Sequence, residues 1–318
     1  MKIIKPIYLF FLPLLLLVIP SCTTDITLDL PKGEEKLVVE GHIEPGQPPF
    51  IILTRSTAYF ASTSLTDVAN TFVHNAVIKV SDGTRTDSLI EINLANLSDT
   101  ALRKMILDYF NMKAGSIATG FNFAFYTSNF TNPNSIKGEV GKTYSLTISA
   151  EGKKLSSVTS IPALVVPDSF WVKPPKEDPG NDSMVKLFFR FQDPPDEANN
   201  YRYFSKRNTG PFSPDRFGSV MDDKLFNGQD IVWTINNSSS QSDTTGRKTH
   251  GLFWKGDTVV VKFCTIDAAH CEFWKTFEMA SSNGGPYANP VQIKSNIVGG
   301  LGIWGGYGAV YHTIYIPK

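Results

Sequence analysis

Cysteine is scarce: Cys22, Cys264 and Cys271 are the only three in 318 residues. A small disulfide scaffold needs several pairs, so that class is excluded. An excess of one charge is missing too. Thirty Lys and Arg balance thirty Asp and Glu, which excludes the broad basic surface by which proteins hold nucleic acid. No apolar run reaches the roughly 20 residues that a membrane-crossing helix requires. Catalytic signatures are also lacking, since neither His-Glu-x-x-His nor Gly-x-Ser-x-Gly occurs. What the chain does have is apolar side chains, 42% hydrophobic and 12% aromatic, enough for a packed core rather than a disordered polymer.

The strongest local signal lies in the first 22 residues. Lys2 and Lys5 form a positive start, and an apolar run over residues 7–19, interrupted by Pro13, leads to Ser21 and Cys22. That is the layout of a secretory signal. A cysteine directly after a small residue points further, to bacterial lipoprotein processing. Ile19-Pro20-Ser21-Cys22 resembles a lipobox, with Pro20 departing from the residue usual at its position. In that chemistry the Cys22 thiol receives diacylglycerol, residues 1–21 are cut away, and the new amine is acylated, palmitate being the expected chain. Three acyl chains hold a protein at a membrane far more firmly than one. Cleavage removes Lys2 and Lys5 and shifts the formal charge from 0 to −2. Residues 22–35 then read as a lipid-anchored spacer without a dense acidic run, which leaves open the leaflet, periplasmic or surface-facing.

The remaining chain reads as two β-rich units. Over residues 36–165, short period-2 strands alternate with turns. In residues 36–43, Leu37, Val39 and Ile43 share one face and Glu40 and His42 the other. Strands follow at 50–55 and 76–81. The cleanest is 143–149, where Tyr144, Leu146 and Ile148 alternate with Ser145, Thr147 and Ser149. This spacing predicts an immunoglobulin-like or fibronectin-like antiparallel sandwich. One segment breaks the pattern: residues 98–110 place Leu102, Met105, Ile106, Tyr109 and Phe110 at helical spacing, with Ser98 as the expected N-cap. An inserted amphipathic helix is predicted there.

Five prolines between residues 161 and 180 place a domain junction. Beyond it, residues 166–318 form the expected second β-rich domain. Strands are predicted at 184–191, 231–235, 257–266 and 309–316. Asp267 is expected to cap a short helix carrying His270, Phe273, Trp274 and Phe277 on one side.

Several residues invite a chemical reading. Gly300-Leu-Gly302-Ile-Trp-Gly305 matches a dinucleotide-binding pattern by letters, but the 13 residues that follow read as a strand, not the required helix. Close backbone passage or bulges beside Trp304 and Tyr307 are the expected use of these glycines. Cys264, His270 and Cys271 leave three readings open: unlinked thiols, which the spacing favours, a disulfide, or a metal site short of zinc's usual four ligands. His42, His74, His250, His270 and His312 are scattered. His312, sharing a face with Val310, Ile314 and Ile316, is expected to be a satisfied core histidine. Acidic residues cluster at Asp193, Asp196 and Glu197, and at Asp222 and Asp223. They are expected to be solvated turn residues, although calcium binding or glycoside hydrolysis uses the same side chains. The aromatics near 121–130 and 201–217 are expected in strand cores, with exposed loop rings that stack on sugars or anchor a protein interface as the alternative. No catalytic, cofactor or metal residue is assigned, and the chain is expected not to be an enzyme.

A resemblance joins these observations. Leu37-Val-Val-Glu-Gly-His-Ile-Glu-Pro-Gly46, Gly141-Lys-Thr-Tyr-Ser-Leu146, Asp193-Pro-Pro followed by Asn200-Tyr201, Gly256-Asp257, and Ser295-Asn-Ile-Val-Gly-Gly-Leu-Gly-Ile-Trp-Gly-Gly306 occur in one order across nearly the whole mature chain. In this the chain resembles the Bacteroidetes lipoprotein family of domain of unknown function 4249. Cys264, His270 and Cys271 are not part of that pattern. The resemblance implies an outer-membrane lipoprotein, lipidated at Cys22, that accompanies a TonB-dependent receptor. It carries over no catalytic residue. The expected function is therefore a non-enzymatic accessory or ligand-binding subunit, with a structural or adhesive envelope protein, or a glycan-directed hydrolase, as alternatives.

Overall fold

The computed structural model describes residues 34–57, 64–94, 96–109, 123–129, 131–176, 180, 182–215, 218–237, 251–282 and 291–318. The signal sequence, Cys22, His250 and Phe110 lie outside the described residues. In chain order the elements are β1 (Leu37–Ile43), β2 (Phe50–Arg55), α1 (Leu65–Asn70), β3 (Val77–Ser81), β4 (Thr86–Ser88), β5 (Ile90–Asn93), α2 (Thr100–Tyr109), β6 (Ala124–Thr127), β7 (Thr143–Ala150) and β8 (Lys153–Ser160). There follow β9 (Ser169–Lys173), β10 (Met184–Gln192), β11 (Asn200–Arg207), β12 (Ser213–Pro214), β13 (Val220–Asp222), β14 (Asp230–Ile235), β15 (Phe253–Trp254), β16 (Thr258–Ile266), α3 (Ala268–Ser282) and β17 (Leu301–Tyr315).

The chain is mainly β and layered. A nine-stranded sheet runs β12-β11-β16-β17-β1-β2-β6-β5, with β13 also on β11. Two four-stranded sheets, β4-β3-β7-β8 and a group of β9, β14 and β15 around β10, complete the strands. The predicted alternation explains the cores. Leu37, Val39 and Ile43 of β1, Ile78 and Val80 of β3, and Tyr144, Leu146 and Ile148 of β7 pack into one cluster that also takes in Ile297 and Trp304. Leu187, Phe189 and Phe191 of β10 meet Tyr201, Tyr203, Val259, Val261 and Phe263 in a second. Each core is thus a pair of sheet faces closed on one another.

The two cores share one strand. The first half of β17 pairs with β1 in parallel, from Val38↔Leu301 to Ile43↔Gly306. Its second half pairs antiparallel with β16, from Ile266↔Tyr307 to Thr258↔Tyr315. Residues Glu35–Lys318 accordingly form one compact unit, not the two domains expected on either side of residue 165. The proline-rich stretch is no free linker: Ile161 and Val165 are buried, and Thr265 Oγ1 donates to Ala163 O at 2.6 Å.

β17 also begins eight residues before the predicted 309. Its glycines hid it, and they are there for close approach. Gly302 has φ +104°, and a Cβ there would lie 1.9 Å from Val39 O. A Cβ at Gly306 would lie 2.2 Å from Ser160 O. The cap of α2 likewise shifts from Ser98 to Asp99, whose Oδ1 accepts from Ala101 N at 2.9 Å. Asp267 caps α3 as predicted, accepting from His270 N at 2.8 Å.

Candidate site on the outer face of the large sheet

The strand faces turned away from the two cores carry the polar chemistry. Because side chains alternate, the residues between the core positions all emerge on this face: Arg202 and Phe204 of β11, Lys262 and Cys264 of β16, Tyr307 and Tyr311 of β17, Glu40 and His42 of β1, and Phe50 of β2. Helix α2 covers one end, with Ile106 and Leu107 packed among Phe50, Ile52, Phe123 and Phe125. Helix α3 covers the other end, where Cys271 packs with Cys264, Ile266, Tyr307 and Phe204.

Between the helices lies a band of charged groups. Lys262 is in direct contact with Glu44, whose Oε2 also accepts from Tyr311 OH at 2.7 Å. The Lys262 ammonium lies 4.9 Å from the centre of the Phe204 ring and 4.7 Å from that of Tyr307, within cation–π range. His42 Nε2 stands 3.9 Å from Glu44 Oε1. Burial pushes the pKa of Glu44 up, but the charges and hydrogen bonds of Lys262, His42 and Tyr311 outweigh it and hold the pKa below its usual value. Burial lowers the His42 pKa to about 4, with the positive charges of Lys262 and Arg202 acting in the same sense and Glu44 against them. His42 is therefore neutral near pH 7. Glu40 is exposed, yet surrounding protein desolvates it and raises its pKa against the pull of Arg202.

Arg202 fastens α3 to this band. Its guanidinium lies 3.5 Å from the Trp274 ring centre and 4.7 Å from that of Phe204. It donates to Tyr307 OH at 2.8 Å and to Ser219 Oγ at 3.2 Å, and Ser219 in turn donates to Glu278 of α3. Burial raises the Glu278 pKa, with Ser219 and Arg202 opposing it. At the start of α3, Asp267 Oδ2 accepts from Thr159 Oγ1 at 2.5 Å and from Ser160 N at 3.3 Å. A shallow, open depression of about 300 Å³ adjoins that cap, and its one carboxylate is already engaged by these bonds.

The residues singled out from sequence fall in different places. Cys264 and Cys271 are free thiols, both buried, and burial raises their pKa values to about 12 and about 11. His270 Nδ1 lies 3.3 Å from Gly306 O, and burial drives its pKa well down. Among the described residues no group of three or more His, Cys, Asp or Glu is arranged to hold a metal ion. His74 Nδ1 meets Glu91 Oε1 at 2.6 Å, and Glu91 also accepts from Asn75 N and Tyr126 OH, which makes this a structural clamp. His312 packs 4.9 Å from Phe170. Its Nε2, however, is buried with no hydrogen-bond partner among the described residues, so the expected satisfied histidine is unsatisfied at that atom.

The acidic clusters need correction. Asp196 and Glu197 are exposed, but Asp193 and Asp223 are buried. Asp193 accepts from Tyr201 OH and from Gly228 N, and Asp223 accepts from Asn199 N at 2.6 Å. Asp222 pairs with Lys275 and Lys224. These carboxylates take up buried donors that a loop of this kind would otherwise leave orphaned. Sequence reasoning missed Lys262 and Arg202. The available signal was one charge inside each of two apolar runs, Val259-Val-Val-Lys262-Phe-Cys264 and Tyr201-Arg202-Tyr203.

Glycoside hydrolysis uses two carboxyl groups ~5–9.5 Å apart. Glu40 and Glu44 are four residues apart along the chain, which spaces their Cα atoms by roughly 13 Å at ~3.3 Å per residue, and the Glu44 carboxylate is engaged by Lys262 and Tyr311.

Comparison with known proteins places the chain. Residues 23–311 match the family described as Domain of unknown function (DUF4249). The chain belongs to this family. The DUF4249 match takes in the first core, the second apart from Ile314 and Ile316, the band and all but the last four residues of β17. No curated protein matches the sequence. Among the described residues no helix is long and apolar enough to cross a membrane.

Proposed function

We propose that this DUF4249 protein is a bacterial outer-membrane lipoprotein, anchored through acylated Cys22, that serves as a non-enzymatic accessory or ligand-binding subunit beside a TonB-dependent receptor. The observation that carries the reading is the leader pattern of residues 1–21 directly before Cys22, with the DUF4249 match starting one residue later, at 23. Everything beyond the anchor site is then the working domain, on a spacer of about a dozen residues. The chemistry of the outer face supports binding over catalysis. Its ionisable groups neutralise one another, and its rim offers a carboxylate at Glu40, a neutral imidazole at His42 and a half-exposed ring at Tyr311.

A second reading, an adhesive envelope protein, draws on the exposed rings of Phe212 and Tyr311, edge to face at 5.7 Å. A clean deletion separates the two. The accessory reading expects impaired uptake of a nutrient with adhesion unchanged, whereas lost adhesion with normal uptake replaces it by the second. Labelled palmitate tests the anchor: the wild-type chain takes up label and Cys22→Ala does not.

A further inference from the structure

Several contacts in this protein pair a lysine with a carboxylate, and one of them stands apart in its surroundings. Lys262 and Glu44 leave only 10% and 8% of their side chains exposed, against 30% and 19% for Lys275 and Asp222. The rings of Phe204, Tyr307 and Tyr311 lie within 5.9 Å of the Lys262 ammonium. Tyr311 OH donates to Glu44 Oε2, and His42 Nε2 is 3.9 Å from the other oxygen. A lysine nitrogen and a carboxyl carbon are thus held together largely away from bulk water, with a donor on one carboxyl oxygen and an imidazole beside the other at the edge of the pair.

We propose that Lys262 and Glu44 become joined within the folded chain as an amide between Nζ and Cδ. The step balances without any added reagent. The ammonium passes one proton to Oε1, leaving a neutral amine beside a carboxylic acid. The amine lone pair attacks Cδ, and negative charge collects on Oε2, where Tyr311 donates. A second proton leaves nitrogen for Oε1, relayed by His42, the Cδ–Oε1 bond breaks, and one water departs. Proximity takes the place of a bimolecular encounter, and the fixed Tyr311 donor meets the charge where it develops. Burial favours the product, because an ion pair taken out of water bears a desolvation cost that a neutral amide largely escapes. The link would tie the end of β1 to β16 across 218 residues, fixing the two halves that β17 bridges.

Protease digestion and mass spectrometry of the full chain, purified from its own cells and denatured by boiling, test this directly. The expected result is one branched peptide containing both Glu44 and Lys262, lighter by one water than its two parts, with no cleavage after Lys262. Lys262→Arg should abolish it. Lys275 and Asp222 should appear in separate peptides in every sample. Separate Glu44 and Lys262 peptides of unaltered mass in the wild-type digest overturn the proposal, whether or not the variant folds.

Discussion

Trp304 is fully buried in the first core and donates from Nε1 to Tyr144 O at 3.1 Å. Truncating such an aromatic leaves a cavity and an unpaired carbonyl. Trp304→Ala is expected to lose about 3–5 kcal/mol, read from the urea midpoint. Gly302→Ala should do at least as much harm, because the new Cβ meets the Val39 carbonyl at φ +104°. His42 gives a pH dependence. Its folded pKa of about 4 lies below the ordinary 6.5, so between these values the unfolded chain binds the proton and the folded chain does not. Stability therefore falls as pH drops from about 6.5 to about 4, and buried His270 acts in the same direction. Urea midpoints across that window should show a shallower slope for His42→Gln than for wild type. Asp257 acts lower on the scale. Burial raises its pKa, but Arg207, Asn208 and Trp254 N pull it below 3.8, and its contribution is lost only as pH falls beneath that value. Not every residue role was legible. Asp193 read as solvated because proline and acid together look like an exposed turn, and Asp223 because it stands in a run of charged residues with Asp222 and Lys224; only the fold brings Tyr201 and Asn199 to them.

Helix α3 shows the same logic in a larger piece. The side chain of Asp267 serves two masters, the helix through His270 N and strand β8 through Thr159 and Ser160. Losing an N-cap costs about 0.5–2 kcal/mol. Asp267→Ala should reach the top of that range because the β8 contacts go with it, and hydrogen exchange should accelerate first along α3. Elements with a clean period could be read directly: β7, β10 and the capped α3 stand where alternation or helical spacing put them. The first half of β17 could not, because a strand of glycines has no side-chain period. Its glycines answer to neighbours far away in sequence, Val39, Ser160 and His270. For the same reason the charged band was invisible as a site. Glu44, Arg202, Lys262 and Tyr311 come from four separate segments, and only the pairing of β11, β16, β17 and β1 sets them side by side.

For the whole molecule, β17 is the common member. The first core needs Ile297 and Trp304 from the far end of the chain, and β1 needs the first half of β17 as its neighbour. Residues 36–165 alone should therefore fail to fold, and the intact protein should unfold in one transition, with tryptophan fluorescence and far-ultraviolet circular dichroism coinciding. Two transitions would restore the two-domain division that the proline-rich stretch suggests from sequence. That division was half legible: apart from Ile297 and Trp304 in the first, the two hydrophobic clusters follow it, but a strand shared between them leaves no signature in local pattern. The functional account rests on the same molecule held at a membrane through Cys22. Its most direct test is affinity purification of the tagged protein from gently solubilised outer membranes, followed by mass spectrometry. The account predicts a TonB-dependent receptor recovered in stoichiometric amount with the wild-type protein and lost with Cys22→Ala. Recovery of the lipidated protein alone would contradict it.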